Sequence, residues 1–497
     1  MRAGVLTVAR LVLLAGPTAL AFFTGGYFPE AQAWAGVAVW ALVAVALVAL
    51  PWPPRLSRPF WIAAGGLFLL AAWSLLSITW APIAGNAYHA GQLVMVYLGA
   101  LVASVLLLAH SGIRRWVEPA LAAGAVIVIA YGLSGRLLPG VLHFARSLSA
   151  LGRLEQPLTY WNAMGELAAL GFVLAAAVAG DRSRPGWLRV VAAAAAAPLG
   201  MGLYVSFSRG ALFACAAGLI ALVVMVHRRE ALWAAVRSIC FGGLAAIAAA
   251  PFKSVTALVG SGSTQQRQGA IVLGLLVLIT VAAGLAQYLL ERRERGGELP
   301  LPRRSPVIAT AVIVAGLALA IVVGAHETSG RNTPRLSGGA TRLASLRSDR
   351  YDYWSVALRA FGTEPFHGVG AGGWSVYWLR WRSIPEGAQD AHSLELQTLA
   401  ELGVVGLGLL LVFLGGVALG AAGAVRTGAP SFGAVAGLVA YVAHSPLDWD
   451  WQMPAVTLVA ILLAGKVLAL ASEGYSSSAI LGASRRKIQT ASAHTAA

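Results

Sequence analysis

The chain has 497 residues, of which 58% are hydrophobic and only 11% are charged, and its mean hydropathy is +0.74. Soluble globular chains carry about 25% charged residues, so this composition excludes a soluble enzyme and a disordered regulator. Two cysteines in 497 residues also exclude a secreted disulfide scaffold. A net charge of +16 would indicate nucleic acid as a partner of a soluble protein. In a membrane protein, basic residues in the loops orient the spans and so account for a positive net charge. We therefore expect no nucleic acid partner.

Apolar runs long enough to cross a bilayer recur along the whole chain, and a spanning helix needs roughly 20 such residues. Fourteen runs lie at 5–23, 33–50, 60–79, 92–109, 117–133, 163–180, 188–206, 210–226, 231–250, 270–290, 306–325, 402–424, 431–446 and 454–471. They predict an all-α polytopic membrane protein with 12–14 transmembrane helices. The predicted organisation is eleven spans over 1–325, an extracytoplasmic loop over 326–400, three spans over 401–471 and a disordered cytoplasmic tail over 472–497.

The basic residues predict the orientation of these spans. With the N-terminus in the cytoplasm, 22 of the 36 Lys and Arg residues lie inside and 14 lie outside. This excess agrees with the positive-inside rule. We therefore expect both termini to be cytoplasmic and the protein to be a multi-pass component of the cytoplasmic membrane.

The arginines that remain outside are more informative than the rule. Eight outer basic residues lie in the 326–400 loop, and Arg136, Arg146 and Arg153 lie in the 134–162 loop. Arg209 occupies the short turn Ser206-Phe207-Ser208-Arg209-Gly210 between two spans, where an uncompensated charge is costly. Guanidinium groups suit phosphate, so an anionic ligand on the outer face is one explanation. Solvated loop charge is the other.

The long outer loop contains several candidate features. Apolar residues at helical spacing predict an amphipathic helix over 341–361, with Arg347 and Arg350 near one face. The glycines Gly368 and Gly370 could offer backbone N–H groups to a phosphate, although a plain tight turn is the simpler interpretation. The Trp- and Arg-rich segment 374–382 is typical of sugar stacking or, preferably, of anchoring at the lipid headgroups.

Ionisable residues near the last spans allow several interpretations. His392 and Glu395 are three residues apart, which predicts a shared helical face. A histidine there can accept a hydroxyl proton or serve only as a structural hydrogen-bonding group. Asp448-Trp449-Asp450 has a spacing that a divalent ion could bridge, but an acidic loop cap is the simpler interpretation. Glu166, near the start of a span, requires a partner, and Arg153 or Arg209 could neutralise it.

Three stretches resemble the O-antigen ligase and O-antigen polymerase superfamily of bacterial envelope enzymes. The first runs from Arg153 to Asn162 and has Trp161 where the family usually has proline. The second is the Ser206–Gly210 turn, similar to the family's S-x-S-R-G-A. The third covers 350–406 and includes Arg350, Trp354, Phe361, Pro365, Gly368, Gly370, Ala391-His392-Ser393, Glu401, Gly403 and Gly406, with Ser393 in place of the common asparagine. The resemblance covers roughly 150–410.

The resemblance implies a fold like that of C-type glycosyltransferases (GT-C) and transfer of glycan from an undecaprenyl pyrophosphate carrier. It implies inversion at the sugar, no metal ion and no cofactor. By matched position, Arg209 and Arg350 would hold the pyrophosphate and His392 would orient or deprotonate the acceptor hydroxyl. Arg153, Asn162, Arg347, Gly368, Gly370 and Glu395 are the predicted substrate-binding residues. The acceptor would be a glycan, a lipid, a wall polymer or a protein.

Two alternatives remain at this stage. A polymerase that joins carrier-linked repeats has the same motifs as a ligase that passes a finished glycan to another acceptor. A membrane transporter belongs to a different class and predicts charge near the bilayer midplane and inverted repeats. The central parts of the spans are nearly free of charge and no repeat is visible, so glycan transfer is the favoured interpretation.

Overall fold

The computed structural model describes residues 2–51, 54–109, 111–226, 229–294, 349–426 and 431–473. Regular structure in these ranges is entirely helical, which confirms the all-α prediction. The principal helices are α1 (Arg2–Ala21), α2 (Pro29–Ala49), α3 (Arg58–Leu76), α4 (Ala84–Leu108), α5 (Val117–Leu137), α6 (Trp161–Gly180), α7 (Gly186–Ala194), α8 (Ala196–Ser206), α9 (Arg209–Val226), α10 (Arg229–Ala249), α11 (Gly262–Glu294), α12 (Arg350–Thr363), α13 (Trp374–Trp381), α14 (Leu394–Arg426), α15 (Phe432–His444) and α16 (Pro454–Glu473).

Twelve helical segments of the described residues are long and apolar enough to cross a membrane, with α7 and α8 together forming one of them. The span predicted at 431–446 corresponds to α15, which has only 13 residues. The span predicted at 306–325 lies outside the described residues. The structure therefore supports a polytopic membrane protein, while the total of fourteen spans stays a prediction. Helix α16 ends at Glu473, two residues into the predicted tail, and the rest of the tail is also outside the described residues.

Helices α6 and α16 occupy the centre of the bundle. Most of their residues are buried, whereas α1 and α2 have largely exposed apolar faces suited to lipid. Small residues allow the close packing of α6, which contacts α5, α8, α9, α10 and α15. Consequently the connectors at the ends of α6 and α16 lie in the middle of the bundle's ends rather than at its rim.

A second, smaller core lies in the segment between α11 and α14, which we call the cap (residues 349–393). Tyr353 of α12 packs against Trp378 of α13 with ring centroids 4.8 Å apart, and Trp374 stacks on Trp378 at 5.5 Å. Both tryptophans have no exposed surface. The expectation that these tryptophans anchor at headgroups or stack on sugars is therefore wrong, because they fill the core of the cap. Of the amphipathic helix predicted over 341–361, the described part is α12.

The long helix α14 is broken where it meets the cap. Gly403 has φ 65° and ψ −165°, which is far from helical. The amide of Val404 donates to the carbonyl of Pro365 at 3.0 Å, and the amide of Gly370 donates to the carbonyl of Glu401 at 2.8 Å. The cap thus supplies backbone partners for the interrupted helix, which is how irregular backbone is tolerated near a membrane.

The opposite end of the bundle has its own buried charge cluster. Lys466 of α16 pairs with Glu118 of α5, and Arg184 Nη2 lies 3.5 Å from the second oxygen of Glu118. All three side chains are at least nine-tenths buried. The cluster ties α5 and α16 together at the end where the cytoplasmic loops are predicted.

Candidate active site

Asp448, in the connector between α15 and α16, is the centre of a charged cluster at the cap end of the bundle. Its Oδ2 accepts a hydrogen bond from Arg350 Nη2 at 2.6 Å, and its Oδ1 accepts one from the Tyr160 hydroxyl at 2.6 Å. Asp448 has no exposed surface. Burial alone would raise its pKa, but the charge of the Arg350 guanidinium holds the pKa of Asp448 below its ordinary value. Asp448 is therefore an anion that fixes Arg350 in place.

His392 lies in the loop before α14, not on the helix, so it does not share a helical face with Glu395 as the spacing predicted. Its φ is +53°, in the left-handed region that non-glycine residues rarely adopt. The ring stacks on Tyr353 with centroids 4.8 Å apart and an interplanar angle of 27°. A backbone conformation of this kind in a functional site is held by its surroundings, and here the cap core provides them.

The tautomer of His392 follows from its hydrogen bond. Nδ1 lies 2.9 Å from the carbonyl oxygen of Asp390, and a carbonyl can only accept, so Nδ1 carries the hydrogen. Nε2 is then the atom with the lone pair. Burial lowers the pKa of His392 and outweighs the nearby Asp448 charge, which raises it. The imidazole is consequently neutral at neutral pH and has one basic nitrogen to offer.

Gln397 of α14 holds the His392 loop against the helix. Its amide donates to Asp390 Oδ1 at 2.9 Å, and its carbonyl oxygen accepts from the amide of Ala391 at 3.1 Å. The carboxylate of Glu401, one turn further, accepts from the amides of Gly372 and Trp374 in the cap. The histidine is thus placed by contacts with both the cap and the membrane-embedded part of the bundle.

Asn162 at the start of α6 joins the same cluster. Its side-chain amide donates to the Tyr160 hydroxyl at 2.7 Å, and that hydroxyl donates to Asp448. Asn162 is 5% exposed. The structure therefore brings Asn162 together with Arg350 and His392 through Tyr160 and Asp448.

Arg209 begins α9 at the same end of the bundle and is half-buried. A Cβ on Gly210 would lie 2.8 Å from His444 Nε2, so this turn packs directly on the His444 ring. His444 in turn bonds Asp450 through Nδ1, and Asp450 is two residues from Asp448. The Arg209 turn therefore borders the cluster through His444.

Glu166 of α6 lies beside this histidine, with its Oε2 3.9 Å from His444 Nδ1. The partner predicted from the sequence was Arg153 or Arg209, and the structure places His444 there instead. Arg153 is instead stacked on Trp161 at 3.6 Å and donates to the carbonyls of Ala150 and Ser149. With 2% of its surface exposed, Arg153 supports its own loop, and its role as a substrate ligand stays a prediction.

The two glycines predicted to bind phosphate are used for packing. Gly368 and Gly370 have φ values of +71° and +94°, and a Cβ on either would overlap backbone atoms of Glu401 or Ala81. The amide of Gly368 donates to the carbonyl of Glu364, and that of Gly370 to Glu401. Because both amides are already bonded, the expectation that they are free for a phosphate is wrong.

The remaining predicted ligands are Glu395 and Arg347. Glu395, in the first turn of α14, accepts from the Ser445 hydroxyl at 2.7 Å, which links α14 to the residue after His444. Arg347 lies outside the described residues, so its assignment stays a prediction.

The carboxylates of Asp448 and Asp450 have different partners. Asp448 bonds Arg350 and Tyr160, whereas Asp450 bonds His444. Asp448 also accepts a hydrogen bond from the amide of Trp449 at 3.0 Å, as the loop-cap interpretation predicts. Within the described residues no group of three or more His, Cys, Asp or Glu side chains could hold a metal ion, and the interpretation of the two carboxylates as a metal-bridging pair stays a prediction.

Tyr160 and His444 are the site residues that sequence reasoning missed. Tyr160 lies within the Arg153–Asn162 stretch, but it is not among the site residues predicted from that stretch. His444 is an ionisable residue at the end of an apolar run and precedes Asp448 by four positions. An ionisable residue inside a predicted span is itself a signal of function, and it would have pointed to this histidine.

Comparison with known proteins finds a family match over part of the chain. Residues 252–411, roughly a third of the chain, match the family model described as O-antigen ligase. The match includes Arg350 and His392, whereas Arg209 and Asp448 lie outside it. No curated protein matches the chain. The match includes the third of the motif stretches, 350–406, and so confirms the resemblance there: residues 252–411 of this polytopic membrane protein match a domain of the O-antigen ligase superfamily.

Proposed function

We propose that this protein transfers or polymerises glycan from an undecaprenyl pyrophosphate carrier at the outer face of the cytoplasmic membrane. The observation that carries the proposal is the cluster of Arg350, Asp448 and a neutral His392 at one end of a membrane bundle. The O-antigen ligase match supports the reaction class. A ligase-like reaction is the main candidate, with repeat-unit polymerisation as the alternative.

The carrier's pyrophosphate binds at the arginines. Arg350 donates a hydrogen bond to Asp448 at the cap end of the bundle, and Arg209 begins α9 at the same end. The polyprenyl chain lies in the bilayer, so a donor that enters laterally keeps its diphosphate at headgroup level. Two fixed cations there stabilise the negative charge that develops as the pyrophosphate leaves.

His392 accepts the proton of the acceptor hydroxyl at Nε2, and Asp448 stabilises the imidazolium that results. The acceptor oxygen forms a bond to the anomeric carbon while the bond from that carbon to the pyrophosphate oxygen breaks. One displacement of this kind inverts the anomeric configuration. Pyrophosphate is a good leaving group, so positioning and electrostatic stabilisation supply most of the acceleration, in keeping with the metal-independent reaction that the resemblance implies.

The outer location follows from the charge distribution. The orientation with more Lys and Arg in the cytoplasm places both termini inside and assigns the connectors that carry Tyr160, Arg209, His392 and Asp448 to the outer side. Contacts among these connectors bring them to one end of the bundle. This agreement supports an extracytoplasmic active site in a GT-C-like arrangement.

The test is the pool of carrier-linked glycan in a deletion strain that expresses wild-type protein or His392→Ala. We expect the variant to accumulate the carrier-linked donor, because proton transfer is lost. His367→Ala is the matched control, since His367 also lies in the cap, where its side chain contacts the Gly368 carbonyl, Glu364 and the Trp80 ring and, in the described part of the chain, none of the cluster residues. An unchanged pool in the deletion strain itself would refute glycan transfer.

The same extraction distinguishes the two reactions. Single repeats that accumulate on the carrier indicate a polymerase, because repeats are made but not joined. Long chains that stay on the carrier indicate a ligase, because the finished glycan is not passed on.

A further inference from the structure

A cavity of about 360 Å³ lies beside the His392 loop, between α2, α4, α14 and the connector before α16. Its volume is within the range of small-ligand sites, which is about 300–1,000 Å³. It is separate from the Arg350–Asp448 pair, because neither of these residues lines it. The proposed function places the donor pyrophosphate at the arginines, but it leaves the binding site of the acceptor unassigned.

Two acidic residues, Asp390 and Glu401, contribute to the wall of the cavity together with His89. Among the described residues no Lys or Arg lines it. Burial raises the pKa of Asp390 to about 6, so this carboxyl is still mostly ionised at neutral pH. A phosphate or carboxylate ligand would be repelled here, whereas a neutral or aminated ligand would not.

The cavity also offers hydrogen-bonding groups next to aromatic surface. The Asp390 carboxylate gives one oxygen to Gln397, and its second oxygen has no recorded partner in the described part of the chain. Thr398 and Gln452 likewise line the cavity with side chains for which the structure records no hydrogen bond. Tyr27 and Trp451 add aromatic surface. Many donors and acceptors beside aromatic rings are typical of a site for sugars.

The cavity is joined to the reacting histidine by one residue. Asp390 contributes its side chain to the cavity wall, and its carbonyl oxygen accepts the Nδ1 hydrogen of His392. A ligand in the cavity is therefore one loop residue away from the Nδ1 side of the imidazole, and an acceptor sugar has to extend beyond Asp390 for its hydroxyl to reach Nε2. The arginines, in contrast, lie with Asp448 outside the cavity lining.

We propose that this cavity binds the acceptor and that it selects a neutral or amino sugar as the residue that receives the glycan. The inference rests on the proposed glycan transfer and adds the position and chemical class of the acceptor. Donor and acceptor then occupy regions of opposite charge, which lowers the chance that a carrier pyrophosphate binds in the acceptor site.

The first test is the chemical structure of the product. Glycan from cells that express the wild-type chain would be purified, and the residue at the newly formed linkage identified by mass spectrometry and NMR. We expect a neutral or amino sugar at this position. A phosphorylated sugar, a uronic acid or an acceptor that is not a sugar would overturn the proposal.

The second test fills the cavity without changing any residue assigned to the chemistry. Thr398→Trp and, at a different wall, Gln452→Trp should each reduce product at least tenfold, while the carrier-linked donor accumulates. Thr79→Trp is the matched control, because Thr79 is exposed outside the cavity and should keep wild-type yield. Membrane protein levels are compared by immunoblot.

The two proposals fail differently. If the deletion strain has the same glycan and carrier pools as wild type, the proposed function fails. If glycan transfer is normal but both tryptophan variants, at wild-type protein level, keep their yield, only the acceptor cavity is wrong. If only one tryptophan variant reaches normal protein levels, that variant alone decides the outcome.

Discussion

Replacement of Asp448 by asparagine tests how the cluster works. The side chain keeps its shape but loses the charge that faces Arg350 at 2.6 Å and that acts on His392. Opposite unit charges about 4 Å apart attract by about 4 kcal/mol at an effective dielectric constant of about 20. The Arg350 guanidinium can still donate a hydrogen bond to the new amide oxygen, which returns about 1.5 kcal/mol. The net loss of about 2.5 kcal/mol corresponds to a rate about 70-fold lower.

The assay is the rate of glycan transfer by purified protein in lipid nanodiscs, with the carrier-linked donor and membranes of the deletion strain as acceptor source. Glu364→Gln provides the matched control, because this cap carboxylate is half exposed and pairs only with His367. The control should transfer at the wild-type rate. If Asp448→Asn also transferred at that rate while Arg350→Ala did not, Asp448 would not be what positions Arg350.

The pH dependence of transfer by the same variant independently tests the effect of Asp448 on His392. The base must be neutral, so activity falls as pH drops through the pKa of His392, which burial holds below the ordinary value of about 6.5. The Asp448 charge raises that pKa, so its removal lowers it further. We expect the acidic limb of the profile to move to lower pH in Asp448→Asn. Movement to higher pH would contradict the assignment.

Three further predictions concern stability and loop position. Lys466→Met leaves the buried Glu118 without its closest cation and should lower the unfolding free energy by about 3–5 kcal/mol, seen as a lower Tm in detergent that a second change, Glu118→Leu, largely restores. Gly370→Ala forces a side chain into a φ of +94° against neighbouring backbone, so protein level and Tm should fall, whereas Gly362→Ala, which has open space, should be neutral. Gln397→Leu removes the hydrogen bonds that hold the His392 loop, so it should lower kcat about tenfold and leave the KM for the donor unchanged. A KM for the donor that rises as much as kcat falls would indicate a role in donor binding instead.

The sequence predicted the features that depend on local composition. Most spans could be located because a run of about twenty apolar residues is typical of a transmembrane helix. The distribution of arginines then predicted which connectors lie on the same side of the membrane. Family motifs then selected Arg350 and His392. These inferences need no knowledge of how distant segments pack.

The features that sequence analysis missed depend on packing between distant segments. Arg350 and Asp448 are 98 positions apart, and nothing local shows that they pair. Trp374 and Trp378 have a spacing typical of both an interfacial anchor and a small core, and only the contact with Tyr353 distinguishes these. Spacing also placed His392 on a helix, but the chain reaches Leu394 through a left-handed residue first.

The break at Gly403 has a consequence for how the reaction diversifies among glycans. The bonds that join the cap to α14 there run between main-chain atoms, as in Val404 to Pro365 and Gly370 to Glu401. Main-chain bonds do not depend on which side chains surround them, provided that the glycines remain. Under the proposed function, cap surfaces can therefore change to suit a different sugar while this junction keeps the His392 loop in the same position relative to α14. Substitutions that alter glycan specificity should accordingly be tolerated on the cap surface and rejected at the junction.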